Sequence, residues 1–262
     1  MNNAGRRRVL RAVAGLSALG AALRCLPAAA REWPYAGSTA EELLRLADRA
    51  RGGEAAGVVW DVTAISRGAG ASEADPATKL RVYAANDSSL AETLAPAKSA
   101  GARMLQVGRN MWLYKPGLRK PVSISPRQRL SGMAAVGDIA STHYAREYKV
   151  ESAVQELLGD EPVKVLDLTA AQRTSTYDRI RYWVSLRSGL GLRAEFFSVG
   201  GKRLKVAEFE YANVVEIAGR KQAFVSRMLI TDALTDAQTE LRYDRVRIQP
   251  VPSSLFDVNG LT

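Results

Sequence analysis

Arg179-Ile180-Arg181-Tyr182-Trp183-Val184-Ser185-Leu186 sets Ile180, Tyr182, Val184 and Leu186 on one side of an extended chain and Arg179, Arg181 and Trp183 on the other. Successive strand side chains point to opposite faces, so this stretch reads as a strand with one oily and one charged face. That is the pattern of an antiparallel sheet wet on one side. The same reading extends outward. Phe196-Phe197 and Leu204 to Val206 flank Gly200-Gly201, and Val154 to Leu158 and Val163 to Leu168 flank Gly159-Asp160-Glu161-Pro162, which predicts two hairpins. Upstream, Val58, Trp60, Val62 and Ala64 alternate with Val59, Asp61, Thr63 and Ile65, and Leu80, Val82 and Ala84 alternate with Arg81, Tyr83 and Ala85. Further strands fit Phe224 to Ile230 and Thr239 to Ile248. Between Lys202 and Tyr211 the apolar phase changes, from Leu204 and Val206 to Ala207, Phe209 and Tyr211, which predicts a β-bulge. The expectation is about ten to twelve strands, with no Pro/Ser linker long enough to divide the chain.

Two segments break the two-residue period. Ser38 or Thr39 caps a helix whose first turn carries Glu41 and Glu42, whose apolar face is Leu43, Leu44, Leu46 and Ala47, and whose end is Gly52-Gly53. Pro126 to Ala145 is irregular; Leu130, Met133, Val136 and Ile139 share a short helical face and read as a flap laid on the sheet. The fold class is therefore mainly β, an α+β arrangement in which short helices cover the apolar face of a large antiparallel sheet.

The chain has 262 residues, 47% hydrophobic and 24% charged, which fits a folded chain. Its one cysteine, Cys25, and one histidine, His143, exclude an intramolecular disulfide, a thiolate zinc site, an iron–sulfur cluster and multi-histidine metal centres. No metal and no cofactor is expected, and no phosphate loop, dinucleotide fingerprint or calcium loop is present. His143 lies near Ser141, Asp138 and Glu147, but without a Gly-x-Ser-x-Gly elbow this cluster gives no triad, and no catalytic residue is assigned.

Arg6, Arg7, Arg8 and Arg11 precede an uncharged run from Ala12 to Leu23, and Ala28-Ala29-Ala30 supplies the small residues that a signal peptidase reads. Residues 1–30 are thus expected to be a cleaved export signal, Sec or twin-arginine, and residues 31–262 a single domain. Arg24 before Cys25 argues against lipidation. The removed segment holds five arginines and no acidic residue, so a formal charge of +10 falls to +5. Half of the basicity belongs to targeting, and no nucleic-acid partner is expected.

Several landmarks resemble, in their order, the outer-membrane lipoprotein-sorting family of LolA-like periplasmic carriers. They are Leu94-Ala95-Pro96-Ala97-Lys98 with Gly101 and Met104-Leu105, Met111-Trp112-Leu113-Tyr114-Lys115-Pro116, Arg119, Pro121 to Ser125, and Gly137-Asp138-Ile139. Tyr182-Trp183-Val184, Leu192-Arg193-Ala194-Glu195-Phe196-Phe197 and Ser254-Leu255-Phe256 follow. The flap departs from the family's usual Gly-Ser-Asp-Phe-like form, running from Gly137-Asp138-Ile139-Ala140 into Ser141-Thr142-His143-Tyr144.

The resemblance implies a curved antiparallel sheet, an incomplete barrel whose concave apolar face is covered by short helices and takes acyl chains. On that reading the lipid-binding residues are Trp60, Val82, Met104, Trp112, Tyr114, Leu130, Met133, Val136, Ile139, Tyr182, Phe196 and Met228. Ordinary core packing is the alternative for each. Arg119, Lys120, Arg127 and Arg129 would meet a headgroup or an acidic partner loop, or else form a solvated strand edge. The implied protein is a monomeric, non-enzymatic periplasmic carrier of lipid or lipoprotein acyl chains. Its implied partners are an inner-membrane lipid transporter and an outer-membrane acceptor. The alternative is a periplasmic lipid-sensing regulator or transporter accessory of the same fold.

Overall fold

The computed structural model describes residues 33–132, 134–140, 143–217 and 219–261. The expected export signal lies outside the described residues. Helix α1 (Ala40–Arg49) starts at Thr39, whose Oγ1 accepts from Glu42 N at 3.2 Å while Thr39 N donates to Glu42 Oε2 at 2.8 Å. This reciprocal pair satisfies two otherwise orphaned helix groups. The helix buries Leu43, Leu44, Ala47 and Asp48.

Strands β1 (Val58–Arg67), β2 (Thr78–Ala85), β3 (Ser88–Ala95), β4 (Arg103–Val107), β5 (Asn110–Tyr114) and β6 (Val122–Ile124) form an antiparallel meander. The chain then crosses the sheet through β7 (Arg129–Ser131), β8 (Ala134–Ala135), α2 (Val136–Ala140) and α3 (Tyr144–Glu147). A second meander starts at the far edge with β9 (Tyr148–Leu158), β10 (Glu161–Ala170), β11 (Arg179–Ser185), β12 (Gly191–Phe197) and β13 (Arg203–Glu210). After a hairpin, β14 (Asn213–Ile217) and β15 (Arg220–Phe224), strands β16 (Arg227–Asp232) and β17 (Gln238–Ile248) return to the sheet. The order is β6-β5-β4-β3-β2-β1-β17-β16-β13-β12-β11-β10-β9, thirteen antiparallel strands not closed into a barrel.

Several expectations change in detail. Seventeen strands among the described residues exceed the expected count, and four of them are the short hairpins β7–β8 and β14–β15, which lack sustained alternation. Arg129–Ser131 and Ala134–Ala135 pair as antiparallel strands and are not part of a helical flap, so Leu130 sits in a strand and the helix is confined to Val136–Ala140. Phe224 to Ile230 is not one strand: Val225-Ser226 separates β15 from β16. A register shift does fall where the bulge was expected, with Phe196 opposite Lys205 and Phe197 opposite Arg203. Its outcome is different. Lys205, Ala207 and Phe209 point inward, leaving Leu204 exposed and Val206 half-buried on the outer side.

The two faces differ in chemistry. One apolar cluster joins α1, α2 and α3 to the inward residues of both meanders, including Trp60, Leu80, Met104, Ile180, Tyr182, Phe196 and Leu241. On the outer face, ion pairs run across neighbouring strands: Arg81–Asp61 at 2.8 Å, Arg181–Asp167 at 2.9 Å and Arg227–Glu240 at 2.6 Å. Asp61 faces Arg81 and Asp167 faces Arg181, so opposite charges favour these registers, while Glu240 meets Arg227 diagonally. At one end the outer face also carries a small apolar cluster, where Leu255, Phe256, Val258 and Leu261 cover Leu90, Leu105, Trp112 and Tyr114.

Candidate functional site

The covered face gathers seven of the residues assigned to lipid from sequence: Trp60, Val82, Met104, Ile139, Tyr182, Phe196 and Met228 are all buried in its cluster. Trp112 and Tyr114 are placed elsewhere. Because Met111 and Leu113 take the covered side of β5, the two aromatics between and beside them turn to the outer face, beneath the C-terminal segment. They do not line the covered face. Met133 lies outside the described residues, as do the side chains of Leu130, Val136 and Arg129.

Of the basic residues, Arg119 and Lys120 are exposed in the turn before β6. Arg127 is engaged within the protein: Nη2 reaches Asp178 Oδ1 at 2.8 Å and Nε donates to the Ser175 carbonyl at 3.0 Å. That pairing holds the Asp178 carboxyl below its usual range. Arg127 thus ties the crossing segment to the loop before β11.

Sequence reasoning missed two cations inside the cover. Lys205 on β13 is buried, and its Nζ lies 2.6 Å from Asp138 Oδ2. Asp138, on α2, also accepts from Tyr177 Oη at 2.7 Å and from Ala135 N at 2.7 Å. The ammonium lies 4.8 Å from the centre of the Tyr177 ring. Every element of this corner is partnered, so α2 and β8 are pinned to the sheet by charge as well as by apolar contact.

Arg51, just past α1, is the opposite case. It is 2% exposed, with its guanidinium 4.8 Å from the ring centres of both Tyr144 and Phe209. Neither Nη1 nor Nη2 has a hydrogen-bond partner, and the same holds for Tyr182 Oη, Trp60 Nε1 and Asp48 Oδ1. The other Asp48 oxygen accepts from Ala145 N at 2.8 Å, which joins α1 to α3. Burial pushes the Asp48 carboxyl up to about 7, against a smaller lowering by the Ala145 hydrogen bond and the Arg51 charge. A signal was present: Asp48 stands four residues after Leu44 on the apolar stripe of α1, and Arg51, four after Ala47, continues that stripe just past the helix end.

The rim carries clefts. One of about 450 Å³ lies between the end of α1, the turn at Ser188-Gly189-Leu190 and the hairpin residues Arg220 to Ala223. Another, of about 240 Å³, borders Lys205 and Tyr177 near Leu204 and Leu234.

His143 is half-buried, and burial followed by the Arg146 charge lowers its pKa to about 4. Asp138, which a triad would need, has both oxygens occupied by other donors.

Comparison with solved structures decides the family. A LolA superfamily protein from Nitrosomonas europaea superposes with a TM-score of 0.75 and 28% identity, over 84% of this chain and 98% of that one. The chain belongs to the LolA superfamily. A lipoprotein-sorting domain from Vibrio parahaemolyticus, described as putative in its own name, shares the fold with a TM-score of 0.69 and 21% identity over 84% and 97% of the two chains. A DUF1329 family protein from Desulfovibrio piger does so with a TM-score of 0.68 and 17% identity, over 88% and 100%. A family model described as an uncharacterized protein matches residues 85–262, so this LolA-superfamily chain belongs to that family too. No curated protein matches it.

Proposed function

We propose that this LolA-superfamily protein is an exported, non-enzymatic periplasmic carrier that shields acyl chains of lipids or lipoproteins beneath its helical cover and passes them towards the outer membrane. The observation that carries this reading is the continuous apolar and aromatic face under α1, α2 and α3, in a chain with the fold of a lipoprotein-sorting domain. A carrier meets a real need, because each buried methylene is worth ~0.8 kcal/mol and a fourteen-carbon chain represents on the order of 10 kcal/mol against crossing water. Met104, Met111 and Met228 give that face flexible, polarizable surface suited to chains of varied shape. The cover must shift to admit a chain, and transfer is then governed by relative affinity among donor, carrier and acceptor.

Export with cleavage after Ala30 is part of this proposal, as is the absence of catalysis. The occupied Asp138 carboxylate and the depressed His143 pKa support the latter. Mass spectrometry of lipids that co-purify with the chain from periplasm, followed by displacement of a fluorescent acyl probe, tests the proposal. Bound acyl lipid and saturable probe binding are expected. A chain that carries no lipid and binds no acyl probe would overturn it.

A further inference from the structure

The interior of a folded protein is a poor place for an unpaired cation, since removing a charge from water costs several kcal/mol unless a partner replaces the hydration. Arg51 breaks this rule in an informative way. Among the described residues no carboxylate forms an ion pair with it, and its two terminal nitrogens have no acceptor. The rings of Tyr144 and Phe209 attract the positive charge but accept no conventional hydrogen bond from the fork. Asp48 Oδ1 and the Tyr182 hydroxyl belong to the same neighbourhood: Tyr182 lies within electrostatic reach of Arg51 and Tyr211 but makes no well-formed hydrogen bond, and Asp48 feels the Arg51 charge.

A cleft also opens close to this group. The 450 Å³ cleft is lined by Ala50 and Leu190, the chain neighbours of Arg51 and Gly191. Gly191 in turn packs so closely on the Tyr182 hydroxyl that a Cβ there would overlap it. The cleft volume falls within the range of about 300–1,000 Å³ usual for small-molecule sites. Its lip carries Arg49, Arg220 and Lys221, and the last two have no ion-pair partner among the described residues. Positive charge therefore runs from the lip to the interior, which favours entry of an anion.

We propose that Arg51 is the head-recognition group of this carrier, receiving the carboxylate of a single-chain acyl ligand on Nη1 and Nη2, with the Tyr182 hydroxyl as a further donor and the acyl chain among the apolar residues of the covered face. The inference rests on the carrier reading and deepens it by naming the ligand class. A guanidinium fork matches the two oxygens of a carboxylate. One buried cation balances one negative charge, whereas a phosphate monoester brings nearly two. Tyr144 on α3 and Phe209 on β13 then act as walls that keep water from the pair.

The test measures binding of palmitate, methyl palmitate and hexadecyl phosphate to the full chain, for wild type, Arg51→Met, Tyr182→Phe and the exposed-face control Arg181→Met, with folding checked by near-ultraviolet circular dichroism. Wild type is expected to bind palmitate on the order of tenfold to a hundredfold more tightly than the ester, the range of a charged hydrogen bond. Arg51→Met should bring that ratio to near one while ester binding persists, Tyr182→Phe should reduce it severalfold, and Arg181→Met should leave it unchanged. Where Arg51→Met does not fold, Tyr182→Phe decides. Equal wild-type affinity for acid and ester, or a ratio unmoved by both interior substitutions, overturns this inference and leaves the carrier reading standing. Tighter binding of the phosphate than of palmitate overturns the carboxylate assignment. Failure of wild type to bind any of the three removes the carrier reading itself.

Discussion

Lys205 and Arg51 occupy the same covered face and are both almost wholly buried, yet one has a carboxylate partner and the other has neither an ion pair nor a well-formed hydrogen bond at Nη1 or Nη2. Around Lys205, a carboxylate, a phenol and a backbone amide close a network that joins α2 to β13. Around Arg51 the neighbours are rings and unpartnered polar atoms. A buried charge with its partner inside the fold acts as a structural tie, while a buried charge that lacks one retains binding energy for something else. The difference separates the part of the cover that is fastened from the part that is poised.

The largest effect is expected at the fastened corner. Lys205→Met leaves Asp138 charged and buried, and should lower unfolding free energy by about 3–5 kcal/mol in urea titration. Neutralising both partners with an acceptor oxygen kept, Lys205→Met with Asp138→Asn, should recover part of that loss, and a double variant as unstable as the single one would deny that the tie is electrostatic. The poised corner should respond in the opposite direction: in ligand-free protein, Arg51→Met removes an uncompensated charge and should raise stability by about 1 kcal/mol or more. A loss matching that of Lys205→Met would erase the contrast.

The smallest effect is one of pH. Asp48, raised from 3.8 to about 7, keeps its proton in the folded state where the unfolded chain has lost it, so its contribution to stability falls as pH rises from about 4 to about 7 and is level above. His143, lowered from 6.5 to about 4, has the opposite sign: its contribution is present above about 6.5 and is lost as pH falls towards about 4. The two slopes oppose one another over most of that window. Relative to wild type, thermal midpoints should therefore rise more steeply with pH in Asp48→Asn and less steeply in His143→Gln. Profiles parallel to wild type in both would show that neither group titrates as its burial implies.

Where the chain is regular, the sequence was legible. Ile180, Tyr182, Val184 and Leu186 are inward and buried as their alternation requires, and the Thr39 cap with Glu42 marks the start of α1. Alternation fixes two faces without saying which is covered, and Trp112 and Tyr114 take the outer one. The deciding partners, Leu255, Phe256, Val258 and Leu261, lie more than a hundred residues away in the chain. Lys205 escaped notice because lysine between Leu204 and Val206 reads as the solvent side of a strand, and Asp138, the residue that makes its burial possible, stands 67 positions earlier. Residue type predicts exposure well when the partner is water, and poorly when it is supplied by a distant segment.

The junction between β1 and β17 carries a consequence of another kind. These two strands, the first and last of the sheet, run side by side and join the two meanders, with Val58 opposite Ile248 and Arg67 opposite Gln238. A nascent chain can assemble each meander from local hairpins, but the halves cannot be zipped together until residues 238–248 emerge. Until then β1 and β16 present raw edges to whatever is nearby. Closing a seam between sequence extremes is a slow, late event. The molecule is thus an assembly of two fast-forming leaves with a deferred spine, most vulnerable to misassociation in the interval before its final strand arrives.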